Sequence, residues 1–319
     1  MNVRVSAPTR LHFGLLAVPT GGLSQDSSLQ PLRPYGGLGL MIDQPRIFVE
    51  AVPANEWQIS GSLAARVERF RVELPLRSPL SLHAEGPPEH VGLGVGTSLG
   101  MALAEVWSRF EGHADRSAHD LARLSGRGRR SGIGVHGFRH GGLVIDPGKD
   151  DGGAVSICET RCFPWPVIVL RPKTTAPVWF GDTEQRVFTR QRPVDRVIAN
   201  RDRLFDLLHR SLLPALTAND FDTFSSSLGL YNRIAGEPFH EEQGGAYSSL
   251  EVAKVIEELK KRGHHGVGQS SWGPTVFAIV RSREEGEVLM GQLNHAEFDS
   301  IAMTSSAGPA CVEQDKESP

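Results

Sequence analysis

The 319-residue chain carries 34 Lys and Arg against 37 Asp and Glu, a formal charge of −3, with 39% hydrophobic and 22% charged residues. That balance excludes a disordered or membrane-spanning chain and gives no overall attraction to nucleic acid, so any anion binding must come from local arginine clusters. The three cysteines, Cys158, Cys162 and Cys311, lack metal-site spacing and indicate neither a zinc site nor a disulfide framework, which fits a reducing cytoplasm.

The first half is rich in glycine and short β-like runs. Strands are expected at Val3 to Leu16, Gly36 to Ile42, Ile47 to Val52 and Leu80 to His83, with helices at Ser62 to Leu74, Thr97 to Glu111 and Ser117 to Leu124. The apolar run near the N-terminus is broken by His12, so no signal peptide is expected. A glycine-rich loop at Gly126 to Gly134 leads to a strand at Gly141 to Asp146, and Gly148 to Gly153 reads as an exposed hairpin tip. Composition changes near Pro147 to Cys162, and a new buried strand starts at Pro164 to Leu170. The second half is more helical, at Val194 to Leu216, Phe221 to Ile234 and Leu250 to Arg262, with strands at Pro274 to Val280 and Phe298 to Ile301 and a helix between them. This order predicts an α+β chain of two domains, residues 1–160 and 161–304, the second a sandwich with helices on one face. The polar tail, 305–319, is expected to be disordered.

Four segments carry chemistry. In Gly92-Leu93-Gly94-Val95-Gly96-Thr97-Ser98, alternating glycines let the main chain approach a ligand with positive φ, and Thr97 or Ser98 is placed to cap the Ala-rich helix that follows. Unpaired N–H groups and the positive end of the helix dipole would then face a phosphate. A Walker loop is excluded because no Lys is present, and a dinucleotide fingerprint because Glu85 to His90 separates the glycines from the preceding strand. Arg10 and His12 interrupt an apolar strand on one face; buried without a partner, such a charge would cost roughly 3–5 kcal/mol, and a ligand anion is one way to satisfy it. An exposed sheet face is the other.

The loop from Gly126 sets Arg127, Arg129 and Arg130 among glycines and serines, and His136, Arg139 and His140 follow; guanidinium suits bidentate phosphate contacts, although a solvated basic loop has the same composition. Last, Gly268-Gln269-Ser270-Ser271-Trp272-Gly273 is a turn with an amide, two hydroxyls and an indole at the bend, donors fit for a small polar aromatic ligand. An indole there caps a core as readily as it forms a plate. No residue is expected to bind metal directly, since His264 and His265 lack a third ligand at useful spacing.

Taken in chain order, the N-terminal strand with Arg10 and His12, the glycine loop at Gly92 to Ser98 and the late glycine-rich turn resemble the three motifs of the GHMP kinase superfamily. With Arg10-Leu11-His12, Tyr35-Gly36-Gly37-Leu38-Gly39-Leu40, Arg130-Ser131-Gly132-Ile133-Gly134, Gln243-Gly244-Gly245-Ala246-Tyr247 and Gly268 to Thr275, the chain is most similar to a non-kinase branch, the β-ribofuranosylaminobenzene 5′-phosphate synthases of tetrahydromethanopterin biosynthesis. The resemblance implies a two-domain GHMP-kinase-like fold, an N-terminal mixed β-sheet domain with helices and a C-terminal ferredoxin-like α/β sandwich. It also implies condensation of phosphoribosyl pyrophosphate with 4-aminobenzoate or 4-hydroxybenzoate, with release of CO2 and pyrophosphate, in a cytoplasmic homodimer. No nucleic acid or membrane partner is implied, nor a tightly bound organic cofactor; Mg2+ is expected on the pyrophosphate by chemical analogy.

On that basis Arg10, His12 and Gln269 are the expected catalytic residues. Gly92, Gly94, Gly96, Thr97, Ser98, Arg127, Arg130 and Arg139 would bind phosphate, and His136, Ser270, Ser271 and Trp272 would bind substrate. The Asp that the kinases place near Gly132 to His136 is missing. Two other readings stay open: an ATP-dependent kinase of a small alcohol on the same fold, and a non-catalytic ligand-binding protein. The sequence does not choose between the two aromatic acids.

Overall fold

The computed structural model describes residues 1–19, 33–74, 78–149, 158–176 and 181–315, the side chains of 181 and 182 excepted. The chain opens on β1 (Asn2–Leu15), where Val3, Val5, Ala7, Leu11 and Phe13 alternate into the core and leave Arg10 and His12 on the other face. Its partner β2 (Gly37–Pro53) is one continuous strand in place of the two expected runs. The polar stretch between those runs forms a bulge: the register shifts opposite Pro8 and Thr9, Arg46 Nη1 pairs with Asp43 Oδ1 at 2.9 Å, and Thr9 Oγ1 donates to the Pro45 carbonyl at 2.6 Å.

Next come β3 (Gln58–Ser60), α1 (Ala64–Glu73), β4 (Leu80–Glu85), α2 (Val95–Phe110) and α3 (Ala118–Leu124), the last capped by Ser117 and Asp120. Helix α4 (Ile133–His140) was not foreseen, because Gly134 and Gly137 dilute its propensity; Gly137 lies against the Met41 side chain, where no larger residue fits. Strands β5 (Leu143–Asp146) and β6 (Glu159–Arg161) complete the first half. The expected hairpin tip lies outside the described residues beyond Lys149.

The second half contains β7 (Val167–Pro172), α5 (Gly181–Thr189) and α6 (Val194–Leu207). A π-turn at Leu208–Leu212 links α6 to α7 (Leu213–Thr217), just before Pro214, which has no N–H to donate. Then follow α8 (Phe221–Gly236), a 3₁₀ turn (Glu237–Phe239), α9 (His240–Gln243) and α10 (Leu250–Lys261). The chain ends with β8 (Val267–Gln269), β9 (Val276–Ile279), α11 (Arg283–Gly291), β10 (Phe298–Thr304) and β11 (Cys311–Asp315).

Two sheets result. One runs β11-β1-β2-β4-β3 with β5 and β6 attached through β2; the other runs β10-β7-β9-β8 and is antiparallel throughout. The chain passes from the first sheet to the second between Arg161 and Val167. A single apolar cluster nevertheless joins them, since Phe13 meets Phe277 with ring centroids 4.7 Å apart and Tyr231 and Leu228 of α8 belong to the same core. The tail expected to be disordered instead returns to the first sheet, with Cys311–Asp315 antiparallel to Asn2–Ser6; residues 316–319 lie outside the description.

Candidate active site

Where β1, the turn before α2, the arginine loop and the turn after β8 converge, they enclose a cavity of about 850 Å³, a size common for small-molecule sites. Six arginines line it, Arg10, Arg66, Arg69, Arg127, Arg129 and Arg130, against two carboxylates, Glu89 and Glu184. Both carboxylates are occupied. Glu89 pairs with Arg66 Nε at 3.2 Å, and Glu184 pairs with Arg130 and accepts the Trp272 indole N–H at 2.9 Å.

The glycine turn is built as an anion site, though not in the way its sequence suggests. Gly94, in the left-handed region at φ 69°, is the residue that starts α2, and its carbonyl takes the N–H groups of Thr97 and Ser98 at 3.0 and 3.1 Å. The N–H groups of Val95 and Gly96 at the head of a sixteen-residue helix thus have no partner within the helix and sit on the cavity wall. Gly96 is helical; a Cβ there would lie 3.6 Å from Arg66 Nη2. Neither Thr97 nor Ser98 caps the helix, and Ser98 is turned away, its hydroxyl donating to the Pro8 carbonyl at 2.8 Å.

Beside that helix end, Arg66 and Arg127 both lean on the Phe70 ring, 5.0 and 4.6 Å from its centroid. Burial, then the neighbouring Arg66 charge, lowers the Arg127 guanidinium to a pKa of about 10, the mark of a cation short of counter-charge. Arg10 is more extreme. Its Nε and Nη1 are buried with no hydrogen-bond partner among the described residues, its stem lies against Gly94 and Gly134, and burial lowers it to about 10 as well.

His12 is neutral. Burial, then the Arg10 charge, pushes its pKa down to about 3, and its Nδ1 accepts the Gly14 N–H at 3.2 Å, which leaves the proton on Nε2. Because the unfolded chain binds this proton near pH 6.5 and the folded one does not, stability from His12 is complete above that pH and is lost as pH falls toward 3. Urea unfolding from pH 7 to 4 is expected to show this loss in the parent protein and a flatter profile in His12→Gln; equal slopes would remove the assignment.

The turn after β8 supplies the opposite chemistry. Trp272 packs edge-on to Phe239 and Phe188, with centroids 4.8 and 5.7 Å away, and these three rings line the cavity. Gln269 also lines it, but its amide is committed: Oε1 accepts the Ser248 N–H at 2.7 Å and Nε2 donates to the Ser271 carbonyl at 2.8 Å.

This arrangement has known relatives. The GHMP kinase C-terminal family model matches residues 212–298. The β-ribofuranosylphenol 5′-phosphate synthase of Archaeoglobus fulgidus is 27% identical over 307 residues, covering 89% of this chain and 90% of that one. That of Methanocaldococcus jannaschii is 26% identical over 310 residues, 86% of this chain and 88% of the other. This chain is thus similar to these synthases over most of its length. Among solved structures, the mevalonate diphosphate decarboxylase of Enterococcus faecalis superposes with a TM-score of 0.64 at 16% identity over 99% of each chain. The homoserine kinase of Cytophaga hutchinsonii gives 0.62 at 13% over 98% of this chain and 97% of that one. These two show the GHMP fold.

The cavity gathers most of the residues expected from sequence: Arg10, His12, Gly92, Gly94, Gly96, Thr97, Arg127, Arg130, Gln269, Ser271 and Trp272. Four others stand elsewhere. Arg139 is held by the fully buried Glu105 at 2.6 Å and by the Arg116 carbonyl, so it neutralises an acid inside the first half. His136 is buried on α4, and Ser98 faces β1. Ser270 is a stitch: its hydroxyl accepts the His12 N–H at 2.9 Å and donates to the Gly92 carbonyl at 2.7 Å, binding three segments together behind the cavity wall.

Sequence reasoning missed Arg66, Glu184, Phe188 and Phe239, which come from helices whose cavity-facing residues carry no motif. It also missed Asn232, whose amide bonds the Phe13 and Gln269 carbonyls at 2.7 and 2.8 Å and fastens β1 to β8. Among the described residues no three His, Cys, Asp or Glu side chains gather as a metal cage. With Glu89 and Glu184 each paired to an arginine, the described cavity residues do not by themselves form a resident metal site.

Proposed function

We propose that this chain condenses phosphoribosyl pyrophosphate with 4-hydroxybenzoate or 4-aminobenzoate to give a C-riboside 5′-phosphate, CO2 and pyrophosphate, a step of tetrahydromethanopterin biosynthesis. The observation that carries the proposal is the charge inventory of the cavity: six arginines, two of them at lowered pKa, and no carboxylate free to act as a base. The reaction suits that inventory. The C1–oxygen bond of the sugar breaks with its electron pair leaving on the diphosphate, and the ring carbon bearing the carboxylate bonds to C1. The carbon–carboxylate bond then breaks, CO2 departs, and its electrons restore the aromatic ring. No proton is gained or lost, so no general base is required, and the enzyme's work is positional and electrostatic.

In this reading the Val95 and Gly96 N–H groups with Arg66, Arg127 and Arg130 hold the diphosphate and stabilise the charge it acquires on leaving. Arg10 faces the carboxylate, with the neutral His12 offering only its Nε2 proton. Trp272, Phe188 and Phe239 hold the aromatic ring, and Gln269 keeps the turn that carries Trp272 in shape. Mg2+ enters this proposal as a passenger on the diphosphate oxygens, not as a bound cofactor. The names of the relatives speak of a phenol product, which favours 4-hydroxybenzoate as the first acid to try. A cytoplasmic homodimer completes the proposal; no helix among the described residues is long and apolar enough to cross a membrane.

Incubation with phosphoribosyl pyrophosphate and either acid labelled in its carboxyl carbon is expected to release labelled CO2 and pyrophosphate in equal amounts. ADP formed from ATP and a small alcohol would support a kinase instead. Binding of these compounds without turnover would leave a ligand-binding protein.

A further inference from the structure

Glu184 is the carboxylate set among the cavity's arginines on the side of the aromatic rings. It reaches the cavity from α5, pairs with Arg130, and accepts the Trp272 indole N–H at 2.9 Å. The Arg130 guanidinium lies 5.2 Å from the centre of the Phe188 ring, and Phe188 in turn packs against Trp272. One carboxylate therefore links a cation of the arginine loop to the indole of the aromatic wall. Its charge also favours the cationic state of Arg10, which has no hydrogen-bonded partner of its own at Nε or Nη1. No sequence motif marks it.

We propose that Glu184 is an internal counter-ion that competes with a substrate oxyanion for Arg130 and gives it up when the phosphorylated substrate binds, while keeping Trp272 in position for the aromatic acid. The proposal rests on the reading of the cavity as a diphosphate site. A carboxylate and a diphosphate oxygen compete for the same guanidinium face, so the ion pair that neutralises Arg130 weakens binding of the incoming anion. The indole hydrogen bond is a separate task that needs an acceptor oxygen but no charge. Charge and acceptor can therefore be removed one at a time.

Calorimetric titration of the intact protein with inorganic diphosphate tests the first task, and the KM for 4-hydroxybenzoate tests the second. Glu184→Gln keeps an acceptor for Trp272 and removes the charge: diphosphate is expected to bind about tenfold tighter, with the KM for the acid unchanged. Glu184→Ala removes both, so diphosphate binds tighter by a similar factor while the KM for the acid rises about tenfold. A residue that merely supported the fold would move both constants in the unfavourable direction in Glu184→Ala and neither in Glu184→Gln. Unchanged or weaker diphosphate binding by Glu184→Gln overturns the counter-ion role. If the parent protein itself does not bind diphosphate, the proposed function falls with it; tight binding by the parent and an unaltered Glu184→Gln remove this inference alone.

Discussion

Arg10→Ala is expected to lower the rate of CO2 release by two to three orders of magnitude, the loss typical of removing one donor aimed at developing charge, while leaving the melting temperature unchanged or higher. The two halves of that expectation have one cause. A buried guanidinium whose Nε and Nη1 bond to nothing is a cost to the folded state, and its desolvation is visible in a pKa lowered to about 10. In the proposed reaction the cation serves the carboxylate of the aromatic acid, which would offset that cost. Removing it therefore relieves the fold and disarms the site, whereas removing an arginine that serves the fold, such as Arg139 on buried Glu105, would do the reverse. Arg10→Lys is expected to recover little, since a point charge cannot reproduce the planar fork. Labelled CO2 release and thermal unfolding measured on the same preparations decide it; a large fall in melting temperature with activity retained would make Arg10 a structural residue.

Gly92→Ala is the second large effect, an expected loss of more than about a hundredfold in diphosphate affinity, equivalent to roughly 3 kcal/mol. Gly92 has φ 90°, and an added Cβ would overlap the Ser270 carbonyl oxygen and lie 3.3 Å from that of Gly273. Both obstacles are backbone, so neither can swing aside. The glycine turn would have to lift off the β8–β9 turn, breaking the Ser270 hydroxyl bond to the Gly92 carbonyl and the Thr275 N–H bond to the Val91 carbonyl, and moving the head of α2 away from the arginines. Gly112→Ala is the control. It has φ 78° with nothing within 4 Å, so it carries the same kind of backbone strain, about 1–2 kcal/mol, with no steric conflict, and its diphosphate affinity is expected to match the parent. Isothermal titration of both variants separates the two terms.

The contrast between Gly92 and Gly96 explains how much of the site was legible. A glycine in a sequence advertises closeness, but not to what. Gly92 lines the cavity, but the room its missing side chain leaves is filled by another turn of the same chain, while Gly96 lies in the helix and leaves its N–H to the cavity. In the same way the Ser98 and Ser270 hydroxyls were expected to meet substrate, and both instead satisfy backbone carbonyls. Period two placed Arg10 and His12 correctly on one face, because strand alternation is a local property. Composition misled for Arg139, whose partner Glu105 lies 34 residues away, and for the tail, whose polar residues form an edge strand that is exposed and so has no hydrophobic signature. Glu184, Phe188 and Phe239 could have been suspected only from the need for an aromatic wall and for some acid among so many arginines.

The pairing of Asn2–Ser6 with Cys311–Asp315 carries a consequence for biosynthesis. Strand β1 finds one of its two neighbours only after Cys311–Asp315 has been translated. Until then that edge of the nascent domain stays open, and it closes when Cys311–Asp315 emerges. Chains terminated early by a nonsense codon or a stalled ribosome would display an unsatisfied ladder beside the substrate cradle, a feature that quality-control proteases and chaperones can recognise before a faulty copy joins the enzyme pool.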